Sequence, residues 1–447
     1  MSDTVVGPPS ALATGLCSRL PSRLYQTLVD LYPICRSITG PGVRATLDVI
    51  KEIVPLKITE VPTGTRVFDW KVPNEWQIRD AYIADAKETR LVDFKRHNLH
   101  VVNYSAPVDA WMTLGELKPH LHTLPEQPDL IPYRTSYYQK TWGFCLSHND
   151  LESMDDQQKY RVVIDSTLAP GSLTYGEAYL PGSSQKEILL STHVCHPSLA
   201  NDNLSGVVVA AYLARELQRL DTRFSYRFLF VPATIGTICW LSNNKSHLQN
   251  IHGGLVLAGV GGPGPFTYKR SRAGNTPIDR IATRVLKDRR SHVVQDFVPM
   301  GYDERQYCSP GVNLPVGSLS RAPYDTYPEY HTSADNPTFL TPEQLFESLA
   351  VVSDVVAALE HDLVFESNRP FGEPMLSKYN LYSTGELGQD EKDIQQALLW
   401  LLNFSDGQHS LIDIAERSGL PMHAMLEAAK KLEQHDLLRR SNEDRCE

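Results

Sequence analysis

Four side chains that bind metal ions in proteins lie close together in the stretch "LLSTHVCHPSLANDNLSG". They are His193, Cys195, His196 and Asp202. Imidazole, thiolate and carboxylate groups are the usual protein ligands of zinc, and the free amides at the start of a helix orient a carboxylate well. His193 and Asp202 therefore form half of a candidate metal site. The same spacing also fits a hydrogen-bonded loop that caps a helix.

The second half of the candidate site lies far downstream, in "YPEYHTSADNP", where His331 supplies another imidazole. Two histidines and one carboxylate can hold a single zinc ion with open positions, or an iron(II) ion as in a facial triad. We predict His193, Asp202 and His331 as the ligands. Cys195 and His196 are predicted to support them, because adjacent loop side chains seldom reach one ion together.

Candidate acid–base and substrate-binding groups follow in "GYDERQYCSPG". Asp303 or Glu304 could move protons during hydrolysis, and Glu329 beside the downstream histidine is a third candidate. Arg305 could bind a substrate carboxylate through its planar fork, and Tyr307 is a further predicted substrate contact. A solvated loop with an internal arginine–carboxylate pair is the competing interpretation.

The elements that must position these residues alternate between strand and helix after residue 160. Strands are predicted at "YRVVIDSTL", "KEILLSTH", "YRFLFVPAT", "GGLVLAGV" and "LPVGSLS", and helices lie between them. This alternation predicts an α/β fold whose mixed sheet is covered by helices on both faces, with ligands at the carboxyl ends of the strands.

Three domains are predicted along the 447 residues. The α/β core comprises 18–62 and 161–385, and aromatic-rich short runs at 63–160 predict an inserted small β-rich domain. Three helical segments within 389–447 are typical of a winged helix. Its lysines are offset by glutamates, which favours a homo-oligomer contact or a protein partner and makes nucleic acid an unfavoured partner.

Composition narrows the functional classes. The net charge of -10 disfavours broad binding to nucleic acid or to an anionic membrane. Seven cysteines without a CxxC pair favour reduced thiols, and no signal peptide or membrane span is apparent. We therefore expect a cytoplasmic protein.

The motifs also resemble those of a known enzyme clan. "STHVCHPSLANDNLSG", "FLFVPATIGT", "YDERQYCSPGVNLPVGSL" and "EYHTSAD" are similar to the zinc aminopeptidases that include bacterial leucyl aminopeptidases. They most resemble the aminopeptidase-like branch labelled polysaccharide-biosynthesis proteins, which carries an inserted small domain and a C-terminal winged helix. The resemblance implies that His193, Asp202 and His331 bind zinc and that the aspartate bridges two ions.

Three departures from the clan pattern change this expectation. Cys195 stands where the clan has an aspartate, Ala233 where the branch has glutamate, and Gly261–Gly262 where the branch has Gly-Asp. A zinc pair needs more anionic ligands than remain, so one ion is expected. Cys195 would then orient His193, with a nucleophilic role as the alternative.

Three functions follow from these observations. The favoured one is an aminopeptidase-like metallohydrolase, or a repurposed relative, acting on an amide or amino-acyl group of a small metabolite in biosynthesis. The second is a catalytically inactive binding or scaffold protein with a peptidase fold. The third is a DNA-binding regulator with a metabolite-sensing core.

Overall fold

The computed structural model describes residues 19–289, 291–382 and 387–441. Ser18, residues 383–385 and residues 442–447, which the predicted domains include, lie outside the described residues. Within the described chain, no helix is both long and apolar enough to cross a membrane.

Strands and helices alternate along most of the described chain. The strands are β1 Lys57–Pro62, β2 Arg66–Val67, β3 Trp70–Lys71, β4 Glu75–Ala84, β5 Arg90–Asp93, β6 Val108–Thr113, β7 Leu121–His122, β8 Phe144–Cys145, β9 Lys159–Ala169, β10 Ser172–Leu180, β11 Glu187–His193, β12 Ser225–Val231, β13 Ile251–Leu257, β14 Phe266–Lys269, β15 His292–Gln295, β16 Val316–Ser320, β17 Val364–Ser367, β18 Asp406–Ser410 and β19 Leu438–Arg440. The α-helices are Leu20–Leu31, Pro41–Lys51, Leu114–Leu117, His148–Glu152, Gly206–Leu217, Ile235–Asn243, Pro277–Lys287, Glu304–Tyr307, Pro342–Glu360, Gln389–Phe404, Leu411–Ser418 and Met422–Gln434.

A central eight-stranded sheet carries the candidate site. Its order is β1-β10-β12-β11-β13-β16-β14-β15. The inner strands β12, β11, β13 and β16 run parallel, and antiparallel pairs flank them. Every residue of β11 is buried, and its apolar run "ILL" is typical of a strand covered on both faces. This mixed sheet confirms the predicted fold class.

Helices cover both faces of the central sheet. On one face, the helix Leu20–Leu31 buries leucines at positions 20, 24, 28 and 31, the spacing of one helical face, next to the helices Gly206–Leu217 and Pro342–Glu360. On the other face, the helix Ile235–Asn243 contributes the fully buried Trp240 to a second apolar cluster. The two layers hold the carboxyl ends of the inner strands in place.

A four-stranded antiparallel sheet of order β5-β4-β9-β6 forms a smaller unit with its own apolar cluster. Strand β9 pairs with β4 along almost its whole length, so residues 161–169 belong to this sheet. The predicted restart of the core at 161 is therefore too early. The local pattern predicts the strand, but its partners β6 and β4 lie about fifty and about eighty residues earlier in the chain.

The C-terminal unit combines the three helices after residue 388 with the antiparallel sheet β18-β17-β19. Because β17 at Val364–Ser367 belongs to this sheet, the unit begins earlier than the predicted residue 389. It packs against the core through Arg280, which forms ion pairs of 2.7 Å with Asp413 and Glu416. Arg284 donates to the backbone oxygen of Leu420 at 3.0 Å.

Candidate metal centre

The candidate centre lies where the central strand ends. Strand β11 ends at His193, and a single turn at Ala200–Ser205 then carries Asp202 before the next helix begins. Asn203 fixes this turn, because its amide nitrogen donates to Thr192 Oγ1 at 2.7 Å and its amide oxygen accepts from the backbone of Gly259 at 3.0 Å. The site thus occupies the carboxyl edge of the parallel strands, where ligands bind in such sheets.

The carboxylate of Asp202 is the centre of the site. Its Oδ1 lies 2.9 Å from Nε2 of His193, and its Oδ2 lies 3.0 Å from Nε2 of His331. Nε2 of His196 lies 3.8 Å from the same Oδ2. The side chain is almost fully buried. Burial alone would raise the pKa of Asp202, but the surrounding histidines hold it well below its ordinary value.

His196 lies closer to the centre than its predicted supporting role requires. His193, His196 and Asp202 form a group whose ligand atoms all lie within 4.8 Å of one another, and His331 is not a member. Burial lowers the pKa of His196 to about 3, against the attraction of Asp202, so its imidazole is neutral as a metal ligand must be. Its backbone oxygen accepts a 2.8 Å hydrogen bond from Nε of the buried Arg36.

The thiol of Cys195 does not orient His193 as predicted. Its sulfur lies 3.5 Å from Nδ1 of His196 and 3.8 Å from the backbone oxygen of Ala233. Burial raises the pKa of Cys195 to about 12, which keeps the thiol protonated and argues against a nucleophile. Nδ1 of His193 is buried and has no hydrogen-bond partner among the described residues.

The loop that carries His331 is held by two contacts that the sequence analysis missed. Asp335 is fully buried, and its carboxylate accepts the backbone N–H groups of Asn201 at 2.6 Å and Asp202 at 3.0 Å. Burial raises the pKa of Asp335 to about 7. Tyr133, from the inserted residues, donates its backbone N–H to the oxygen of His331 at 2.7 Å.

Aromatic rings surround the exposed side of the histidines. The ring centroid of Tyr133 lies 5.1 Å from that of His196 and 5.0 Å from that of His331. Tyr330 stacks on His331 at 3.9 Å, and Tyr302 lies 5.9 Å from His193. The aromatic-rich composition of residues 63–160 was the only sequence signal for Tyr133.

The predicted acid–base residues lie in different environments. Asp303 is 1% exposed, its Oδ1 has no hydrogen-bond partner among the described residues, and burial raises its pKa to about 6, against an opposing contribution from His193. Glu304 is fully buried in an ion pair with Lys269, which corrects its predicted role as a proton carrier. Glu329 is half-buried, and within the described chain its carboxylate forms neither a hydrogen bond nor an ion pair.

Of the two predicted substrate contacts, the structure contradicts Tyr307 and leaves Arg305 a prediction. Tyr307 is fully buried and donates its hydroxyl to Oγ of Ser191 at 2.8 Å, so it cannot reach a substrate and the prediction is wrong. Arg305 is half-buried, and its Nε has no hydrogen-bond partner in the described part of the chain. It lies in the loop beside Asp303 and stays a predicted contact.

Asp202 is the one carboxylate in the group of possible metal ligands that it forms with His193 and His196 among the described residues. The positions expected to supply further carboxylates hold Ala233 and the pair Gly261–Gly262. A Cβ at Gly262 would meet the side chains of Ala322 at 3.0 Å and Asn201 at 3.4 Å, so neutral groups surround this position. Two dications require more anionic ligands than Asp202 alone provides.

Comparison with known proteins identifies the family. Residues 25–362 match the family described as a domain of unknown function, DUF4910, and residues 363–440 match a winged helix-turn-helix family. The chain belongs to the DUF4910 family. A curated relative from Clostridium acetobutylicum is 48% identical over 93% of this chain and 96% of its own length. Its provisional name is polysaccharide biosynthesis protein with aminopeptidase-like domain.

Solved structures share the fold of this DUF4910 member. A provisionally named peptidase from Clostridium acetobutylicum has a TM-score of 0.89 and 47% identity, covering 94% of this chain and 96% of that chain. A zinc aminopeptidase from Bacillus subtilis has a TM-score of 0.56 at 12% identity, covering 76% of this chain and 95% of that one, a likeness of fold. The resemblance to the aminopeptidase-like branch, the fold class and the C-terminal winged helix are confirmed.

Proposed function

We propose that this DUF4910 member is a metal-dependent hydrolase that cleaves an amide or amino-acyl bond in a small molecule or a short peptide-like substrate. The buried carboxylate of Asp202 carries the proposal, because its two oxygens lie 2.9 and 3.0 Å from two imidazole nitrogens. The fold shared with zinc aminopeptidases supports it. The proposed cofactor is one zinc ion, with iron(II) or another divalent ion as alternatives.

A divalent ion bound here would polarise the substrate carbonyl and activate water. Asp303 is the proposed proton acceptor and donor, because a pKa of about 6 is close to the pH at which a general base works best. Arg305 is proposed to bind a substrate carboxylate. The ring of Tyr133 would position the substrate against the histidines and exclude water from the reacting bond.

The proposal extends to the cellular setting. The provisional name of the 48% identical relative supports a role in biosynthesis. Cysteines without a disulfide support the cytoplasm, and the five in the described chain are all free. A second copy of the chain or a protein partner would bind the winged helix, because the net charge of -10 works against a polyanionic partner.

A binding protein without catalytic activity is the second candidate. Ala233 and Gly261–Gly262 favour it, because they supply none of the carboxylates expected at those positions. The buried Nδ1 of His193 also favours it, since a metal-bound histidine usually donates its other N–H to a partner.

Metal analysis combined with a substrate panel separates the two candidates. We expect the purified protein to contain about one equivalent of metal, to release amine from amino-acyl amides or dipeptides, and to lose this activity with a chelator. Asp202→Asn should lower turnover by about a thousandfold or more, whereas His361→Ala, at an exposed histidine, should not. Calorimetry that finds panel compounds bound but never cleaved, with or without metal, would leave only the binding protein.

A further inference from the structure

His193, His196 and Asp202 have the spacing of a metal-binding triad. Their ligand atoms all lie within 4.8 Å of one another, and the two contacts to Asp202 measure 2.9 and 3.8 Å. Ligands about 2.0–2.1 Å from a tetrahedral zinc ion lie about 3.3 Å apart. The two observed contacts bracket this value, so a small rotation of the rings would bring all three groups onto one ion.

We propose that His196, and not His331, is the second imidazole ligand of a single metal ion, and that His331 is a positioning residue for Asp202. This inference rests on the proposed function, because it concerns the same metal centre. The family resemblance implied the opposite assignment, with His331 as a ligand and His196 in support.

The surroundings of His196 are those of a ligand held in one orientation. Arg36 fixes its backbone oxygen at 2.8 Å, and the sulfur of Cys195 lies 3.5 Å from its Nδ1. A contact at one ring nitrogen orients the other, which is how metal-binding histidines are usually prepared. The free nitrogen, Nε2, is the atom that faces Asp202.

The surroundings of His331 are those of a group at the entrance. Its side chain is 33% exposed, against 16% for His196 and 3% for His193. Its Nε2 already contacts Oδ2 of Asp202 at 3.0 Å, which leaves Oδ1 directed at His193. Its ring also stacks on Tyr330 at 3.9 Å. It therefore orients the carboxylate from the more solvent-exposed side of the site.

The charge of this triad limits it to one ion. Asp202 is its only acid, and the other two donors are histidines. One carboxylate neutralises half of the charge of one divalent ion, and a second ion would add two further positive charges beside it. The triad therefore predicts one equivalent of zinc for the full chain.

Zinc affinity of single variants tests the assignment. Zinc is titrated against a chromophoric chelator for wild type, His196→Ala, His331→Ala and the control His361→Ala. We expect one equivalent for wild type, a loss of about a thousandfold or more for His196→Ala, and a loss of about tenfold for His331→Ala, as for groups that only contact a ligand. His361→Ala should match wild type. An equal or larger loss for His331→Ala would overturn the inference.

Histidine footprinting on the wild-type protein keeps the test independent of folding in the variants. Carbethoxylation is mapped by mass spectrometry with and without zinc. We expect zinc to protect His196 and to leave His331 reactive. The reverse protection would overturn the inference and leave the proposed hydrolase standing. Zinc bound through His196 in a protein that cleaves no substrate would overturn the hydrolase alone, and no binding of any divalent metal would overturn both.

Discussion

The carboxyl group of Asp303 allows a quantitative test of the electrostatics at the centre. Its side chain is 1% exposed, and burial raises its pKa from 3.8 to about 6, partly opposed by attraction to His193. The folded state therefore binds this proton more tightly than the unfolded state. Its contribution to folding stability is lost as the pH rises from about 4 through about 6.

The size of the effect follows from the shift in pKa. A difference of about two units between folded and unfolded states corresponds to about 3 kcal/mol once the group is ionised in both. An asparagine keeps the shape of the side chain without the charge. We therefore expect metal-free Asp303→Asn to be more stable than wild type at pH 8 by up to about 3 kcal/mol, and the advantage to disappear below about pH 4.

Urea unfolding of the metal-free proteins, followed by tryptophan fluorescence, measures this difference. Between pH 5 and pH 8 the advantage of Asp303→Asn should grow by about 1–2 kcal/mol. Asp48→Asn is the control, because Asp48 is exposed and the same replacement removes no buried charge. A difference between Asp303→Asn and wild type that does not change with pH would refute the reasoning, and Asp303 would then be unsuited to accept a proton near neutral pH.

Three further substitutions test other contacts of the site. Lys269→Met should destabilise the protein by about 3–5 kcal/mol in thermal unfolding, because it leaves Glu304 charged and buried. Adding Glu304→Gln should recover most of this loss. Equal stability of the single and double variants would contradict the expectation. Tyr133→Ala should raise KM by about tenfold in steady-state assays, because the ring makes the proposed contact with the substrate. Tyr133→Phe keeps the ring and should raise KM by less than about threefold. Equal effects of the two variants would assign the role to the hydroxyl group. Asp335→Ala should lower the melting temperature, because two buried N–H groups lose their acceptor at about 1–3 kcal/mol each. An unchanged melting temperature would show that these bonds add nothing to stability.

Sequence reasoning was strongest where the chemistry is local in the chain. His193 and Asp202 lie nine positions apart, at the end of an apolar strand and before a helix, so the alternation of elements predicted their meeting. His331 is included because a second half is needed to complete the site, and the family resemblance supports that choice. His196 is predicted to support the ligands, and the turn after β11 brings its Nε2 to 3.8 Å from Asp202. Its role as a ligand is the proposal made above.

Contacts between distant segments were beyond the sequence pattern. The ion-pair partner of Glu304 is Lys269, which lies thirty-five positions earlier in a strand that the sequence pattern does not predict. Without knowledge of that ion pair, Glu304 is a candidate for moving protons. Tyr133 has no spacing that links it to the histidines, and tertiary packing brings it there. Asp335 lies four positions after His331, but only tertiary packing brings its carboxylate to the backbone of Asp202. The predicted domain boundaries at 161 and 389 differ from the structure for the same reason. The pairing of β9 and β17 with strands distant in the chain sets where each unit begins.

Backbone hydrogen bonds join the inserted residues to the loop that carries His331. Tyr133 donates its backbone N–H to His331, Ser333 donates to the oxygen of Ile131 at 2.9 Å, and a β-bridge links residues 132 and 332. Deleting the inserted residues would therefore remove the hydrogen bonds that hold the loop of His331. A truncated core would not reproduce the site of the intact protein. Replacing the insertion to change substrate selectivity would succeed only if the new insertion formed the same backbone hydrogen bonds with this loop.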